Sequence, residues 1–301
     1  MTKKVATTVD DLAVLATRFR VDGSKPFQLK DWNPADDAGL GLKKQEGKPL
    51  LKLAKKRLAH LQELLYANGT TSMLIVLQGM DAAGKDGTIK HVMSGVNPAG
   101  VGVVSFKQPG PMELNHGFLW RIHISAPAAG RIVIFNRSQY EDVLVTRVHP
   151  QLLDQEHLPG EVGTPAFWKG RFEDITQFER YLTRQGTLVL KFFLHISKEE
   201  QKERLLARLD DRDKRWKFST SDVQERQYWD SYQLAYEEAI GHTSRDYAPW
   251  FIVPANHKWF ARLVVIETII QALGSLHQKP PKMDENFMKS LDLYKEELIK
   301  E

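Results

Sequence analysis

Residues 79–88 read Gly-Met-Asp-Ala-Ala-Gly-Lys-Asp-Gly-Thr. Gly79 and Gly84 let a backbone bend so that successive N–H groups point inward, and Lys85 adds a point charge beside them. A helix starting at that lysine contributes the positive end of its dipole, and the three features together grip phosphate oxygens. Gly79, Asp81, Ala82, Ala83, Gly84, Lys85, Asp86 and Gly87 are therefore candidate phosphate- and nucleotide-contacting residues. One position departs from the common pattern. Asp86 stands where a Ser or Thr hydroxyl usually binds Mg²⁺, and Thr88 comes too late to be its equivalent. Asp81, inside the loop, is the natural replacement as metal ligand or as partner of the phosphate acceptor. A glycine-glycine-lysine spacing also arises by chance in structural turns; a strand-like run before it and a helix after it favour the phosphate loop.

A second group, Asn136-Arg137-Ser138-Gln139-Tyr140-Glu141-Asp142, follows the apolar run Arg131–Phe135. Ligands bind at the carboxyl ends of parallel strands, and phosphate-loop enzymes usually place an acidic metal ligand there. That position is Asn136 here, so Asp81 and Glu141 become the candidate metal ligands, with Asp142 also available. Arg137 is placed to reach phosphate oxygens. The plainer alternative, a polar loop with a surface ion pair, loses ground because the phosphate loop is in the same chain.

A third group is basic. Arg204, Arg208, Arg212 and Arg215 are spaced 4, 4 and 3, which puts them on one face of any helix that continues so far. Lys214, Arg215 and Lys217 flank Trp216. A mobile lid over about 198–220 with convergent cations would neutralise a transferring phosphate and exclude water. The competing interpretation is a solvated face laced with ion pairs, since Glu203, Asp210, Asp211 and Asp213 are interleaved. Lys107, after another strand-like run, and Arg121 further on extend the basic track. His116 is given no proton-transfer role.

The elements that must position these groups are legible as strand-length apolar runs: Met73–Gln78, Val101–Phe106, Arg131–Phe135, Thr187–Leu194 and Trp250–Val253. Their apolarity is continuous rather than alternating, which predicts strands buried on both faces of a parallel sheet. Helices are expected between them over Pro49–Ala67, Asp174–Gln185, Ser197 to about Leu209, Ser221–Ile240 and Asn256–Leu273. Asn68-Gly69 supplies a stop, and Ser197-Lys198-Glu199-Glu200 a capping box. An N-terminal extension over 1–45 with one short helix, Asp10–Phe19, a main domain over 46–275 and a helical tail over 276–301 (Asp284–Ile299) complete the expected organisation.

The whole chain has 301 residues, enough for a substantial core, with 42% apolar and 27% charged residues. It has no cysteine, which excludes disulfides, zinc–thiolate sites and thiol nucleophiles. No run approaches the roughly 20 apolar residues of a membrane span, and MTKKVATTVDDLAV lacks the apolar core of a signal peptide. A cytoplasmic location without membrane association is expected. The net charge of +4 and pI near 9.0 suit an anionic partner without demanding one.

Over about residues 45–275 the chain resembles the polyphosphate kinase 2 family. The resemblance rests on Gly79–Gly87, on Phe118-Leu119-Trp120-Arg121, on Phe135–Tyr140 and on Lys214-Arg215-Trp216-Lys217. It implies an α/β, P-loop kinase-like three-layer fold with a central parallel sheet of about five strands, a helical lid and helical terminal extensions. It also implies reversible transfer of phosphate between inorganic polyphosphate and AMP, ADP or ATP, extending to guanine nucleotides. Mg²⁺, or Mn²⁺, is the implied cofactor. By resemblance Asp81 and Lys85 act in the phosphate loop, Arg137 follows the second motif's metal position, and Arg208, Arg212, Lys214 and Lys217 belong to the lid. Asp81, Lys85, Arg137 and Glu141 are the expected catalytic residues, and Lys107, Arg121, Arg204 and Arg215, read from their types and spacing, join the lid cations as expected polyphosphate contacts. Much of the family has Asp where this chain has Asn136; Asn136 with Glu141 resembles the branch that accepts both mono- and diphosphates. A homodimer or homotetramer is implied as well. Two rival functions share some of these features. One is a nucleoside monophosphate kinase using ATP as donor. The other is a phosphate-loop protein that binds nucleic acid without turnover, though no nucleic-acid module is visible.

Overall fold

Seven consecutive residues, Ser72–Gln78, are all buried and form the central strand β2 of a six-stranded sheet. The computed structural model describes residues 12–301, apart from the side chains of Lys214, Lys217 and Asp292. With β1 at Arg20–Val21, β3 at Val101–Ser105, β4 at Ile132–Asn136, β5 at Thr187–His195 and β6 at Trp250–Pro254, the spatial order is β1-β6-β5-β2-β4-β3. The five strands expected from apolar runs are all present and mutually parallel. The sheet also has a strand the sequence did not announce. The two-residue β1 pairs antiparallel with β6, Arg20 opposite Phe251 and Val21 opposite Trp250.

The parallel strands lie between two helical layers. Lys44–Asn68 and Lys258–Gly274 pack together on one face, with the phosphate-loop helix Lys85–Val92 beside them. Glu141–Val148, Pro165–Arg184 and Trp229–Thr243 form the other layer. Lys258–Gly274 is apolar nearly all round, with eleven buried residues, as a helix covered on several sides must be. After β2 the chain moves to β3 and β4 on one side, then crosses to β5 and β6 on the other. This reversal leaves a crevice at the carboxyl end of β2, the position where open α/β sheets bind ligands.

Three of the expected helices have other bounds, and the one expected over Pro49–Ala67 runs over Lys44–Asn68. The 165–184 helix begins nine residues before Asp174, at Pro165, capped by the Thr164 hydroxyl accepting from Phe167 N–H at 3.2 Å. The expected 221–240 helix is broken into Thr220–Glu225, a tight turn at Arg226–Tyr228, and Trp229–Thr243. The helix opened by Ser197 ends at Asp210, within a residue of the expected end, because Asp211 turns to extended backbone and its carboxylate accepts from Asp213 N–H. Arg212–Lys217 is a separate short turn, so the four arginines do not share one helix. The expected 10–19 helix is helical at Val14–Arg18; its residues 10 and 11 lie outside the described ones. The tail helix is Glu285–Lys300.

Candidate active site

β2 delivers the chain to Gly79, where a side chain would come within 3.0 Å of Leu194 O and of the Ala83 methyl. The loop closes by Ala83 N–H donating to Met80 O at 3.0 Å. Gly84 then takes φ +104°, a conformation that favours glycine, and starts the helix Lys85–Val92. Three successive loop carbonyls are held from outside. Gln201 Nε2 donates to Asp81 O at 3.0 Å, and Arg204 Nη1 donates to Ala82 O at 3.1 Å and Ala83 O at 2.7 Å. The C=O and N–H of one planar peptide point in opposite directions. Anchoring these carbonyls therefore turns the Ala82 and Gly84 amides the other way.

That geometry corrects the role expected for Arg204. Its side chain is buried, and its guanidinium also donates to Ala255 O, Asn256 O and Glu200 Oε1. It is a strut beneath the phosphate loop that also borders the cavity at the site, and its N–H groups are engaged by the fold. Lys85 Nζ donates to Gly79 O at 2.5 Å. Burial, together with the neighbouring Arg137, pushes its ammonium below the ordinary lysine range.

Across the loop, Asn136 ends β4 and its Nδ2 donates to Asp86 Oδ1 at 2.9 Å. The two departures from the usual pattern are thus partners of each other. Arg137 takes φ +65°, uncommon for a non-glycine residue. Its guanidinium lies between the two candidate metal ligands, 3.0 Å from Asp81 Oδ1 and 3.5 Å from Glu141 Oε2. Glu141 is the main reason the guanidinium is held even more firmly charged than usual.

Asp81, Lys85, Asp86, Asn136 and Arg137 open onto a cavity of about 780 Å³. Residues 81–88 form its floor, Phe106, Lys107, Asn136 and Arg137 one wall, and Arg208, Lys258 and Arg262 another. Lys258 and Arg262 were not singled out in the sequence. They sit one turn apart at the start of the Lys258–Gly274 helix, in no recognisable motif, and reach the site through packing alone. Arg208 lines the cavity while paired with Asp222 at 2.9 Å. Arg212 and Arg215 are exposed and line none of it; Arg215 Nε donates to Leu209 O. The Lys214 and Lys217 side chains lie outside the described ones.

A second cavity of about 210 Å³ adjoins the first and shares Phe106, Lys107, Gln108 and Arg137 with it. Arg121 lines this smaller space, not the larger one, and is buried. It donates to Lys107 O at 2.7 Å and lies 3.7 Å from Glu113 and 3.8 Å from Asp142. It supports the backbone of Lys107 and is no part of an open basic track. Burial pushes the Asp142 carboxyl up to about 7, against the pull of Arg121 and Arg171. Tyr232, Tyr236 and Glu225, also missed in the sequence, close the far side of Asp81, Arg137 and Glu141.

The polyphosphate kinase 2 (PPK2) family model matches residues 41–281. The chain belongs to the polyphosphate kinase 2 family. It is 43% identical over 290 residues to the ADP-polyphosphate phosphotransferase of Rhodopseudomonas palustris, covering 96% of this chain and 100% of that one. It is 46% identical over 265 residues to the AMP/ADP-polyphosphate phosphotransferase of Meiothermus ruber, covering 88% and 95%. The crystal structure of polyphosphate kinase 2 from Arthrobacter aurescens TC1 superposes with a TM-score of 0.85 at 43% identity, covering 93% and 96%.

For a polyphosphate kinase 2 chain the donor set at this site suits a hard divalent cation. Among the described residues no three or more of His, Asp and Glu gather to hold a metal by themselves. Mg²⁺ commonly takes one or two carboxylates and completes its shell with substrate phosphates and water. Asp81 and Glu141 offer two carboxylates beside the phosphate loop, so they fit that pattern. Among the described residues no helix is long and apolar enough to cross a membrane.

Proposed function

We propose that this enzyme transfers the terminal phosphoryl group of inorganic polyphosphate to AMP and ADP, forming ADP and ATP, and that the reaction is reversible. The observation that carries the proposal is one cavity bordered by the phosphate loop, by Lys85, and by cations from four further parts of the chain: Lys107, Arg137, Arg208 and the pair Lys258 and Arg262. That lining suits an oligoanion with no bases to read. The relative from Meiothermus ruber is named for both AMP and ADP, which supports both acceptors here.

A terminal phosphate oxygen of the acceptor attacks the end phosphorus of the chain. The bond from that phosphorus to its bridging oxygen breaks, and the departing polyphosphate is one unit shorter. No covalent step falls to the protein, so its work is positioning and charge neutralisation. The Ala82 and Gly84 amides and Lys85 hold phosphate oxygens, and Arg137 stabilises the transferring group. Asp81 and Glu141 orient Arg137 from either side. They would also hold Mg²⁺ or Mn²⁺, whose chemistry is to screen the charge of two anionic substrates brought head to head. The smaller cavity beside Phe106 and Arg137 is offered to the acceptor's nucleoside, which leaves the larger one for the polyphosphate.

The deciding experiment supplies AMP or ADP with Mg²⁺ and either polyphosphate or ATP as donor. Polyphosphate should support ADP formation from AMP and ATP formation from ADP. Formation of ADP that needs ATP and ignores polyphosphate would show a nucleoside monophosphate kinase instead.

A further inference from the structure

Behind the turn that carries Arg137 and Glu141 lies a group of polar side chains sealed from solvent. Tyr140, Glu179 and Lys191 are each 0% exposed. Lys191 Nζ donates to Glu179 Oε2 at 2.6 Å, to Thr243 O at 2.8 Å and to Tyr140 Oη at 3.1 Å, so each of its three N–H bonds has an acceptor. Tyr140 Oη–H donates to Glu179 Oε1 at 2.8 Å, and Gln139 Nε2 donates to the same oxygen at 3.2 Å. The Tyr140 ring stands edge-on to Trp250, centroids 4.7 Å apart, and Trp250 Nε1 donates to Thr243 Oγ1.

Stability alone does not explain such a group. Dehydrating two charges costs several kcal/mol per ion, and an apolar pair of similar volume is often as stable or more so. Lys191 is on β5 and Glu179 on the Pro165–Arg184 helix, and neither lines the cavities at the site. What the pair does hold is Gln139 and Tyr140, the two residues preceding Glu141. The other side of the same turn is tied to β2. Gln78 Nε2 donates to Ser138 Oγ at 3.2 Å, and Arg137 N–H donates to Leu77 O at 3.2 Å. Between these anchors Arg137 holds its φ of +65°, a conformation that persists only where the surroundings over-determine it.

We propose that Lys191, Glu179 and Tyr140 are positioning residues. They touch no substrate, and they fix the turn 136–141 so that the Arg137 guanidinium and the Glu141 carboxylate stand where phosphoryl transfer needs them. The proposal rests on the function proposed above for Arg137 and Glu141.

The test compares the parent enzyme with Tyr140→Phe and with the double variant Lys191→Met/Glu179→Leu. The double variant exchanges the ion pair for apolar groups but leaves Tyr140 Oη–H, Gln139 Nε2 and Thr243 O without those partners, so its Tm should fall by several degrees while it stays folded at the assay temperature. Its kcat should nevertheless fall about tenfold to a hundredfold, the range expected when reacting groups shift by about an ångström. Tyr140→Phe removes one hydroxyl and should lose about tenfold in kcat. In both variants the KM for polyphosphate should stay within about twofold, because Lys85, Lys258 and Arg262 are untouched. Crystal structures of the variants give a readout independent of turnover: the turn displaced and Arg137 withdrawn from Asp81. Parent-like kcat, or a fall only in proportion to the folded fraction, overturns the proposal, as does an unmoved turn. A parent enzyme that transfers nothing from polyphosphate would defeat the functional proposal alone, and the position of the turn would still decide this one.

Discussion

Lys85 stands at the point where burial and charge pull its ammonium in opposite directions. Burial and Arg137 favour the neutral amine, while Asp81, Glu141 and Asp86 favour the cation. A phosphate brought to the loop adds negative charge beside it and tips the balance toward the cation. Replacing Lys85 with Ala should therefore slow transfer by about a thousandfold, several kcal/mol of transition-state stabilisation. Steady-state assays with polyphosphate and ADP check this, and near-parent turnover would remove Lys85 from the chemistry. The loop itself was legible because glycine spacing and a flanking strand are local signals. The bond between Asp86 and Asn136 was not, because 50 residues separate the partners and each alone looks like a departure from pattern.

The helix Lys198–Asp210 shows how spacing can place residues on a face without saying what the face meets. Arg204 and Arg208 do share a helix and both border the cavity, yet Arg204 is engaged by four carbonyl oxygens of the phosphate loop and the segment after β6, while Arg208 pairs with Asp222. Lysine cannot reproduce a planar fork of donors. Arg204→Lys should lower stability by about 2–4 kcal/mol, since several buried carbonyls lose partners. It should also reduce turnover, because the Ala82 and Gly84 amides lose their orientation. Thermal melts and assays on the folded variant check both, and a parent-like melt would show the strut to be dispensable. The five parallel strands were legible as continuous apolar runs. β1 was not, since two residues, Arg20 and Val21, carry no pattern and become a strand only by pairing with Phe251 and Trp250. Lys258 and Arg262 escaped for the same reason: their distance from residue 85 is closed by tertiary packing.

Across the whole molecule, the N-terminal segment is stitched to the far edge of the sheet. Phe19 O accepts from Ile252 N–H, Pro34 O from Asn256 N–H, and Trp32 O lies 3.1 Å from His195 Nε2. Burial lowers the His195 imidazole to about 4, so the folded protein keeps the ring neutral where an unfolded chain would take a proton at its ordinary value near 6.5. The stabilising contribution is complete above about pH 6.5 and is lost as pH falls toward about 4, a loss on the order of 3 kcal/mol. Denaturant midpoints for the parent should fall across that window more steeply than those of His195→Gln; parallel curves would contradict it. The order of the strands bears on manufacture as well as on architecture. β2 is flanked by β4 and β5, and β5 begins roughly a hundred residues after β2 ends. At about 5–20 residues per second, a ribosome needs roughly 5–20 seconds to make the intervening stretch. For that interval this strand, all of it buried in the finished fold, has at most one of its two neighbours, so the strand that later presents the phosphate loop is open to illicit pairing during synthesis.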